Sequence, residues 1–441
     1  MRTLFVTLLA VAFASPVVAQ TAAPLSVDEA VALAIAHNRR IASADLEVDK
    51  SIADTESART RRLPQFSLEM TMSELLRPID VMFPQGSFGT YPGVGPIPSV
   101  DTALVTKAKP TMLMNAQVSQ PLTQLREINL NVRLSESASQ LARETARATR
   151  LTVGYEVKRL YFSILQNDSA IQATTHSVAM LKELGRVVGN RVIQNAALKS
   201  DALDVDTRLA RLEQQRLGLE HAMIAQKERL NQLMGRDVRT PFETIAATAA
   251  DLASVDLDAA QSRAIDSRPE IREARIKLDQ AKTAHRIAKA DRLPDLSIAL
   301  SYTSPINIDG APRNIASVGL QFQWEPFDWG RRSRTIASRR LTVQQAENAV
   351  RDQEDGVVMD VSAQYRKLAE ARLALRVAAL AQEQAREVSR HRADQYRVQA
   401  VLLSDVLQAA ASQADADKQW QQAIADWWLA RAEFERALGE E

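Results

Sequence analysis

Arg62 to Ser73 reads RLPQFSLEMTMS, and Arg292 to Thr303 reads RLPDLSIALSYT. In both stretches a long polar, helix-like segment stops at a Leu-Pro pair. Beyond the proline the hydrophobic period switches from about 3.6 to 2. Proline disfavours helix for the residue before it, so Leu63 and Leu293 are expected helix ends. After Pro64, Phe66, Leu68, Met70 and Met72 fall on one side of a strand, with Gln65, Ser67, Glu69, Thr71 and Ser73 on the other. After Pro294, Leu296, Ile298, Leu300 and Tyr302 oppose Asp295, Ser297, Ala299 and Ser301. Such a strand either half-covers a soluble core or forms the wall of a water-filled membrane barrel.

Two more runs alternate in the same way. Met112, Met114, Ala116 and Val118 oppose Thr111, Asn115, Gln117 and Ser119, with Leu113 out of place on the polar side, and Pro121 ends the run. Ala316, Val318, Leu320, Phe322 and Trp324 oppose Ser317, Gly319, Gln321 and Gln323. The expected strands are therefore about 64–75, 111–120, 294–303 and 315–325. The last runs into EPFDWGRRSR, where Trp324, Pro326, Phe327, Trp329 and Gly330 crowd one junction before the next helix. Tryptophan pairs an apolar body with a polar edge and suits a membrane–water interface; a small aromatic core at a strand end is the alternative.

Between the strands lie tracts rich in Ala, Leu, Gln, Arg and Glu, as long helices require. Leu25 to Arg62 reads as one helix, with Ser26 and Glu29 forming a capping box. From Leu122 to Gln194 no proline intervenes. That is roughly 70 residues, or on the order of 100 Å if wholly helical, too long to pack inside an ordinary globule. Asn195 to Ser200 reads as a turn, Asp201 as the cap of a return helix to Met234, and Gly235 as its C-terminal stop. Arg77 to Pro110 is rich in Pro and Gly, and a connection of that length is usually functional or mobile. The first 19 residues read as a secretory signal: basic Arg2, an apolar run from Leu4 to Ala14, and small residues before Gln20. That apolar run is shorter than the about 20 residues a membrane-spanning helix needs.

The whole arrangement occurs twice. Asp28, Ala30, Ala34, Ile35, Ile41 and Asp49 recur, without a gap, as Asp258, Ala260, Ala264, Ile265, Ile271 and Asp279, leading to the two Arg-Leu-Pro junctions. At a second constant offset Val153, Val157, Tyr161, Ser200, Asp201 and Gly235 recur as Val357, Val361, Tyr365, Ser404, Asp405 and Gly439. The offsets differ because the second inter-strand loop is short. The expected organisation is a signal peptide at 1–19, repeat 1 at 20–240 with a helical hairpin tip near 195–200, and repeat 2 at 241–441 with its tip near 399–404.

Composition removes several function classes. There is no cysteine, so disulfides, thiolate metal sites and Cys nucleophiles are absent. The net charge of +1 gives no nucleic-acid signal. The five histidines are scattered, with no metal-ligand spacing, and no phosphate loop or serine elbow occurs. Met70, Met72, Met112 and Met114 are soft ligand types, but alternation places them on the apolar side. No cofactor, metal or catalytic residue is expected.

If the strands lie in a membrane, each must be paired, so the sheet must close. Four strands do not close a barrel, since the smallest have about eight, so copies must share one. With that, the chain resembles the TolC-type outer-membrane efflux channels over essentially its whole mature length. The resemblance rests on the duplication, the Leu-Pro strand junctions at Pro64 and Pro294, the turn from Glu325 to Arg332, and the Ser-Asp-x-Leu turns at Ser200 and Ser404. It implies a mostly α fold with a small membrane β part: two repeats of helix–strand–strand–helix–helix, in a homotrimer sharing a 12-stranded β-barrel continued by a long periplasmic α-helical barrel. It implies residence in the outer membrane of a Gram-negative bacterium, amid its lipid. It also implies a periplasmic adaptor and an inner-membrane pump as partners, in tripartite efflux or type I secretion. Carried onto this sequence, it marks Asp201, Tyr396, Asp405 and Gln408 as the periplasmic aperture, and Ala197, Leu198, Ser200, Val401, Leu402 and Ser404 as the adaptor-docking tip. Pro64, Pro121, Pro294, Trp324, Pro326, Trp329 and Gly330 become the barrel–helix junctions. Gln408 stands where such members carry a second aspartate, and Val401 where they carry a gate-closing arginine. The other reading is a soluble periplasmic coiled-coil adaptor or scaffold.

Overall fold

The structure, a computed structural model, describes residues 23–245 and 256–440, apart from 75, 78, 107, 108, 196, 197, 309–311, 313 and 399. Side chains at 79, 106, 184, 191, 201, 396, 397, 403, 404 and 407 also lie outside the description. So does the signal peptide expected at 1–19.

In chain order the elements are β1 (Ala23–Leu25), α1 (Val27–His37), α2 (Arg39–Thr60), β2 (Gln65–Glu74), β3 (Ile79–Phe83), β4 (Thr90–Tyr91), β5 (Gly95–Pro96), β6 (Thr102–Thr106) and β7 (Pro110–Pro121). Then come α3 (Leu125–Ile193), α4 (Lys199–Leu233), β8 (Phe242–Thr244), α5 (Leu257–Ser267), α6 (Pro269–Ala290), β9 (Asp295–Ile306), β10 (Ile315–Gln323), α7 (Arg331–Arg397) and α8 (Leu403–Leu438). The protein is mostly helical. No helix among the described residues is long and apolar enough to cross a membrane. The chain divides into two compact units. One comprises Met1–Leu46, Glu144–Ile271 and Asp352–Glu441; the other comprises Glu47–Arg143 and Arg272–Arg351.

The first unit is helical and has two apolar cores. Ala30, Ala34, Ile41, Val153, Val157 and Tyr161 are buried in one, with Leu230, Met234 and Phe242. Ala260, Ala264, Ile271, Val357 and Val361 are buried in the other, with Phe434 and Leu438, and Tyr365 packs against it. Six of the recurring pairs, Ala30 and Ala260, Ala34 and Ala264, Ile41 and Ile271, Val153 and Val357, Val157 and Val361, and Tyr161 and Tyr365, thus stand in or against the two cores. They recur because two similar cores require similar volumes at the same helix positions. In the first core, β1 pairs in parallel with β8. The Tyr161 hydroxyl lies 2.7 Å from the Leu25 carbonyl and 2.9 Å from that of Ile245, and accepts from the Ile245 N–H.

The single helix expected over Leu25 to Arg62 is broken in two. Ser26 and Glu29 do form the capping box of α1. At Asn38, however, the backbone turns extended, at φ −68° and ψ 128°. Its side chain accounts for the break. Asn38 Oδ1 accepts from the Arg40 N–H at 2.8 Å, capping α2, while Nδ2 donates 2.7 Å to the Leu233 carbonyl at the end of α4. The second half breaks at Arg268 by other means. Pro269 opens α6, and proline drives the residue before it out of the helical region. Arg268 is buried there and pairs with Asp360 at 2.7 Å and Glu270 at 3.1 Å. Burial alone would raise both carboxyls, but the hydrogen bonds from Arg268 outweigh it and hold both below their ordinary values. With folded values depressed, this contribution to stability is fully present above the unfolded carboxylate range. It is lost as pH falls through the folded values.

The second unit carries an antiparallel four-stranded sheet in the order β10-β9-β7-β2. Register sorts its faces, because directly paired residues share a face. Phe66 pairs with Val118, Leu68 with Ala116, and Met70 with Met114. Leu300 pairs with Val318 and Ile298 with Leu320. This face is apolar and exposed: Leu68 is 51%, Leu320 70% and Val318 74% accessible. The connection from 77 to 110, expected as a functional or mobile Pro- and Gly-rich segment, holds a folded hairpin among its described residues. β3 pairs with β6, and β4 with β5, in two further two-stranded sheets.

Candidate functional site

On the opposite face of the sheet the side chains are polar. The Ser301 and Ser317 hydroxyls lie 2.7 Å apart, and Thr303 donates to Asn115 at 2.9 Å. Near Pro121 this face opens into a cavity of about 460 Å³, lined by Gln65, Gln117, Asp295, Ser297, Gln321 and others. A sheet with one exposed apolar face and one polar face matches the two-sided pattern of a membrane barrel wall. Both outer edges, β2 and β10, have no strand beyond them among the described residues. Each therefore presents a row of backbone donors and acceptors to a further strand.

The junction residues fall where strands meet helices. Pro64 and Pro294 immediately precede β2 and β9, and Pro121 ends β7. Hydrogen bonds stitch the three together. Gln120 Nε2 donates to the Arg62 carbonyl at 3.1 Å. Thr123 Oγ1 donates to the Pro294 carbonyl and accepts from the Leu296 N–H, both at 2.8 Å. Trp324, Pro326, Trp329 and Gly330 lie between β10 and α7. Trp329 and Gly330 have φ of 55° and 82°, so the chain reverses through two left-handed residues, the second of which glycine adopts without strain. Phe327 and Trp329 pack edge to face at 4.9 Å and are largely exposed.

Polar groups, of which the sequence marks only Glu325 and Arg332 as the ends of the turn motif, lock this turn. Asp328 accepts from the Gly330 N–H at 3.1 Å and the Arg332 N–H at 2.9 Å, capping α7. Those bonds, the one from Arg332 foremost, hold its carboxyl below the ordinary range. Arg332 also reaches Asp291 at 3.2 Å and Glu325 at 3.1 Å. In α3, burial, with Asp291 and Asp295 nearby, pushes the Glu127 carboxyl up. The readable signal is Asp328 three residues before the helix start, an acceptor facing the free N–H groups of α7.

At the helical tips the outcome is mixed. Asn195, at φ 53°, stops α3. Because α4 begins at Lys199, Asp201 sits inside its first turn rather than capping it. Leu198 and Ser200 are exposed, and Ala197 lies outside the described residues. At the second tip Leu402 is exposed and Val401 half-buried. Asp405 is in the first turn of α8 and accepts from the Leu402 N–H at 3.1 Å; it is not the N-cap itself. Gln408 is exposed one turn on. The side chains of Asp201, Tyr396 and Ser404 lie outside the described residues, so the expected Tyr396–Asp201 link does too.

The fold is shared with solved structures of low sequence identity. The outer-membrane channel OprN superposes with a TM-score of 0.76 at 16% identity, over 94% of this chain and 90% of that one. The CmeC outer membrane channel of Campylobacter jejuni gives 0.78 at 15%, over 94% and 85%. The outer membrane protein VceC of Vibrio cholerae gives 0.73 at 14%, over 94% and 96%. No curated protein matches by sequence. The family model for outer membrane efflux proteins matches residues 30–236 and 260–440, one segment in each half of the chain. Matched in both halves, the chain belongs to the outer membrane efflux protein family.

Proposed function

We propose that three copies of this chain close a 12-stranded barrel and form a passive exit duct. It conducts substrates handed over by an inner-membrane pump and a periplasmic adaptor, in tripartite efflux or type I secretion. The observation that carries the reading is the four-stranded sheet: apolar and exposed on one face, polar on the other, and open at both edges. Joining the β10 edge of one copy to the β2 edge of the next satisfies both edges and leaves the hydroxyls and amides around a wet lumen. Family membership sets aside the soluble adaptor reading. Native mass measurement on detergent-extracted protein is expected to show a trimer. A monodisperse, membrane-inserted monomer would refute the reading.

The tips at 195–200 and 399–404 form the periplasmic end, with Leu198 and Leu402 exposed for the adaptor. Closure there rests on Tyr396 donating to Asp201, a bond to a charged acceptor that contributes about 1.5–3 kcal/mol. Tyr396→Phe and Asp201→Ala are each expected to raise single-channel conductance in planar bilayers. Asp405→Ala is expected to weaken block by divalent cations. Unchanged conductance in both of the first two variants would move closure to other contacts at the tip.

A further inference from the structure

In the helical unit two long hairpins meet along one seam inside the chain. Lys182 pairs with Glu213 at 2.9 Å between α3 and α4, and Lys367 with Glu433 at 2.7 Å between α7 and α8. From one hairpin to the other, α3 runs against α8. The Ser169 hydroxyl donates to Gln421 Oε1 at 3.3 Å, the Phe162 and Trp428 rings stack at 5.3 Å, and Lys158 pairs with Glu435 at 3.0 Å. Around Ser169 this seam holds a cavity of about 470 Å³, lined by Gln172, His176, Ala414, Asp417 and Gln421, among others. α3 and α8 thus lie inside the row of helices, and α4 and α7 at its two ends.

Both end helices carry an exposed apolar stripe. On α4, Leu203, Ala210, Leu217 and Ile224 are exposed at every seventh position, the spacing that keeps side chains on one side of a supercoiled helix. On α7, Leu373, Val377 and Leu380 are exposed at i, i+4 and i+7. Leu373 is 63% and Leu217 52% accessible. The duplication of the sequence identifies what covers them. α7 is the counterpart of α3, and α4 of α8, at the constant offset that relates Val153 to Val357 and Gly235 to Gly439. At that offset Ser169 and Gln421 correspond to Leu373 and Leu217. His176 and Ala414 correspond to Leu380 and Ala210. Gln172 and Asp417 correspond to Arg376 and Glu213, which carry opposite charges. α7 therefore presents the face that α3 turns to α8, and α4 the face that α8 turns to α3.

Resting on the trimeric duct, we propose that α7 of one copy packs on α4 of the next as α3 packs on α8 within the chain. Leu373 then lies against Leu217, Leu380 against Ala210, and Arg376 beside Glu213. Within one chain the two faces stand at opposite ends of the row, so only a second copy brings them together. The contact is head to tail and repeats from copy to copy, which closes a ring. Repeated units that cannot bury a face alone bury it by stacking on a neighbour, and here the neighbour alternates between the other half of the chain and the next copy. The two seams differ in chemistry. The one inside the chain is polar and encloses a cavity, whereas the one between copies is lined by leucine and valine and holds the assembly by apolar burial.

The chain has no cysteine, so introduced thiols report cleanly. In the detergent-purified protein, Leu217→Cys combined with Leu373→Cys should give covalently linked copies under mild oxidant, since a disulfide requires Cα atoms within about 7 Å. Leu217→Cys combined with Leu380→Cys is out of register by two helical turns, roughly 10 Å, and should give none. Ser169→Cys combined with Gln421→Cys should close within single chains and calibrates the oxidation. Leu217→Cys alone should lose its reactivity towards a water-soluble maleimide on assembly. A trimer by native mass in which the calibrating pair closes and the 217–373 pair stays unlinked overturns the seam while leaving the duct intact. Linking of the 217–380 pair in place of the 217–373 pair overturns it too. A thiol at 217 that reacts as fast in the trimer as in the unfolded chain assigns the stripe to water or to the adaptor, with the same result. Absence of any oligomer overturns the duct itself, and the seam with it.

Discussion

Gly235→Ala is expected to destabilise the protein by roughly 3 kcal/mol, among the largest effects of any single methyl group in this chain. Two independent terms act together. Gly235 has φ +69°, where an alanine costs about 1 kcal/mol. Its new Cβ would also fall on the carbonyl oxygen of His37 and 2.6 Å from that carbonyl's carbon. Both are backbone atoms, held by the break that Asn38 makes and ties to the end of α4. Neither can swing aside as a flexible side chain would, so helices must separate. Gly439 is the counterpart in the second half. It too has positive φ, at +76°, but a Cβ there meets Ser267 Oγ at 3.1 Å and Arg268 at 3.3 Å. Gly439→Ala should therefore cost less, about 1–2 kcal/mol. Gly218 is the control: it lies within α4, and a Cβ there meets nothing within 4 Å. Gly218→Ala should leave stability unchanged or raise it by up to about 1 kcal/mol. Thermal unfolding of the three detergent-purified variants should rank Gly235→Ala lowest and Gly218→Ala highest. Equal unfolding temperatures for all three would mean that the two helix ends do not dock as described.

Those two breaks show what a sequence of this kind discloses. The break before Pro269, not among the expectations above, has a local cause, because proline restricts its predecessor wherever it stands. The break at Asn38 has none. A mid-helix asparagine is ordinary, and this one acts by donating to the Leu233 carbonyl, 195 residues away in sequence. The same contrast governs the strands. β2, β7, β9 and β10 alternate because one face meets a different medium from the other, and alternation is readable locally. The ribbon of β3 and β6 mixes apolar and polar residues on both faces, with Asp80 beside Met82 and Val105 and Thr102 beside Phe83 and Leu104, so it has no clean period of two. Its Pro- and Gly-rich surroundings then read as loop. At the junctions proline and tryptophan announce themselves by type. Thr123 and Asp291 do not, since their role is to bridge segments that only folding brings together.

Arginine at position 320 is expected to cost about 2–4 kcal/mol per chain, while arginine at the adjacent position 321 costs about 1 kcal/mol or less. The contrast follows from the pleat. Successive side chains in β10 point to opposite faces. Leu320 pairs with Ile298 on the exposed apolar face. Gln321 pairs with Ser297 and lines the polar cavity. If the apolar face meets lipid, an arginine there must either lose hydration or thin the bilayer around itself, at a cost that is greatest near the midplane. If the polar face meets a water-filled lumen, an arginine there stays hydrated and changes only the charge of the passage. In the trimer proposed above each copy contributes the same substitution, so the penalty applies three times per barrel. Leu320→Arg should thus sharply reduce the protein recovered as folded oligomer from the outer-membrane fraction, whereas Gln321→Arg should leave recovery near the unsubstituted level. Leu68→Arg and Ser67→Arg on β2 should repeat the contrast from the other edge of the sheet, with Phe66 and Val118 marking the same apolar face. A soluble sheet predicts otherwise. An exposed leucine at 70% accessibility in water would accept arginine at almost no cost, since surface substitutions change stability by about 0.5 kcal/mol or less. Equal recovery of the 320 and 321 variants would therefore remove the sheet from the membrane, and with it the duct.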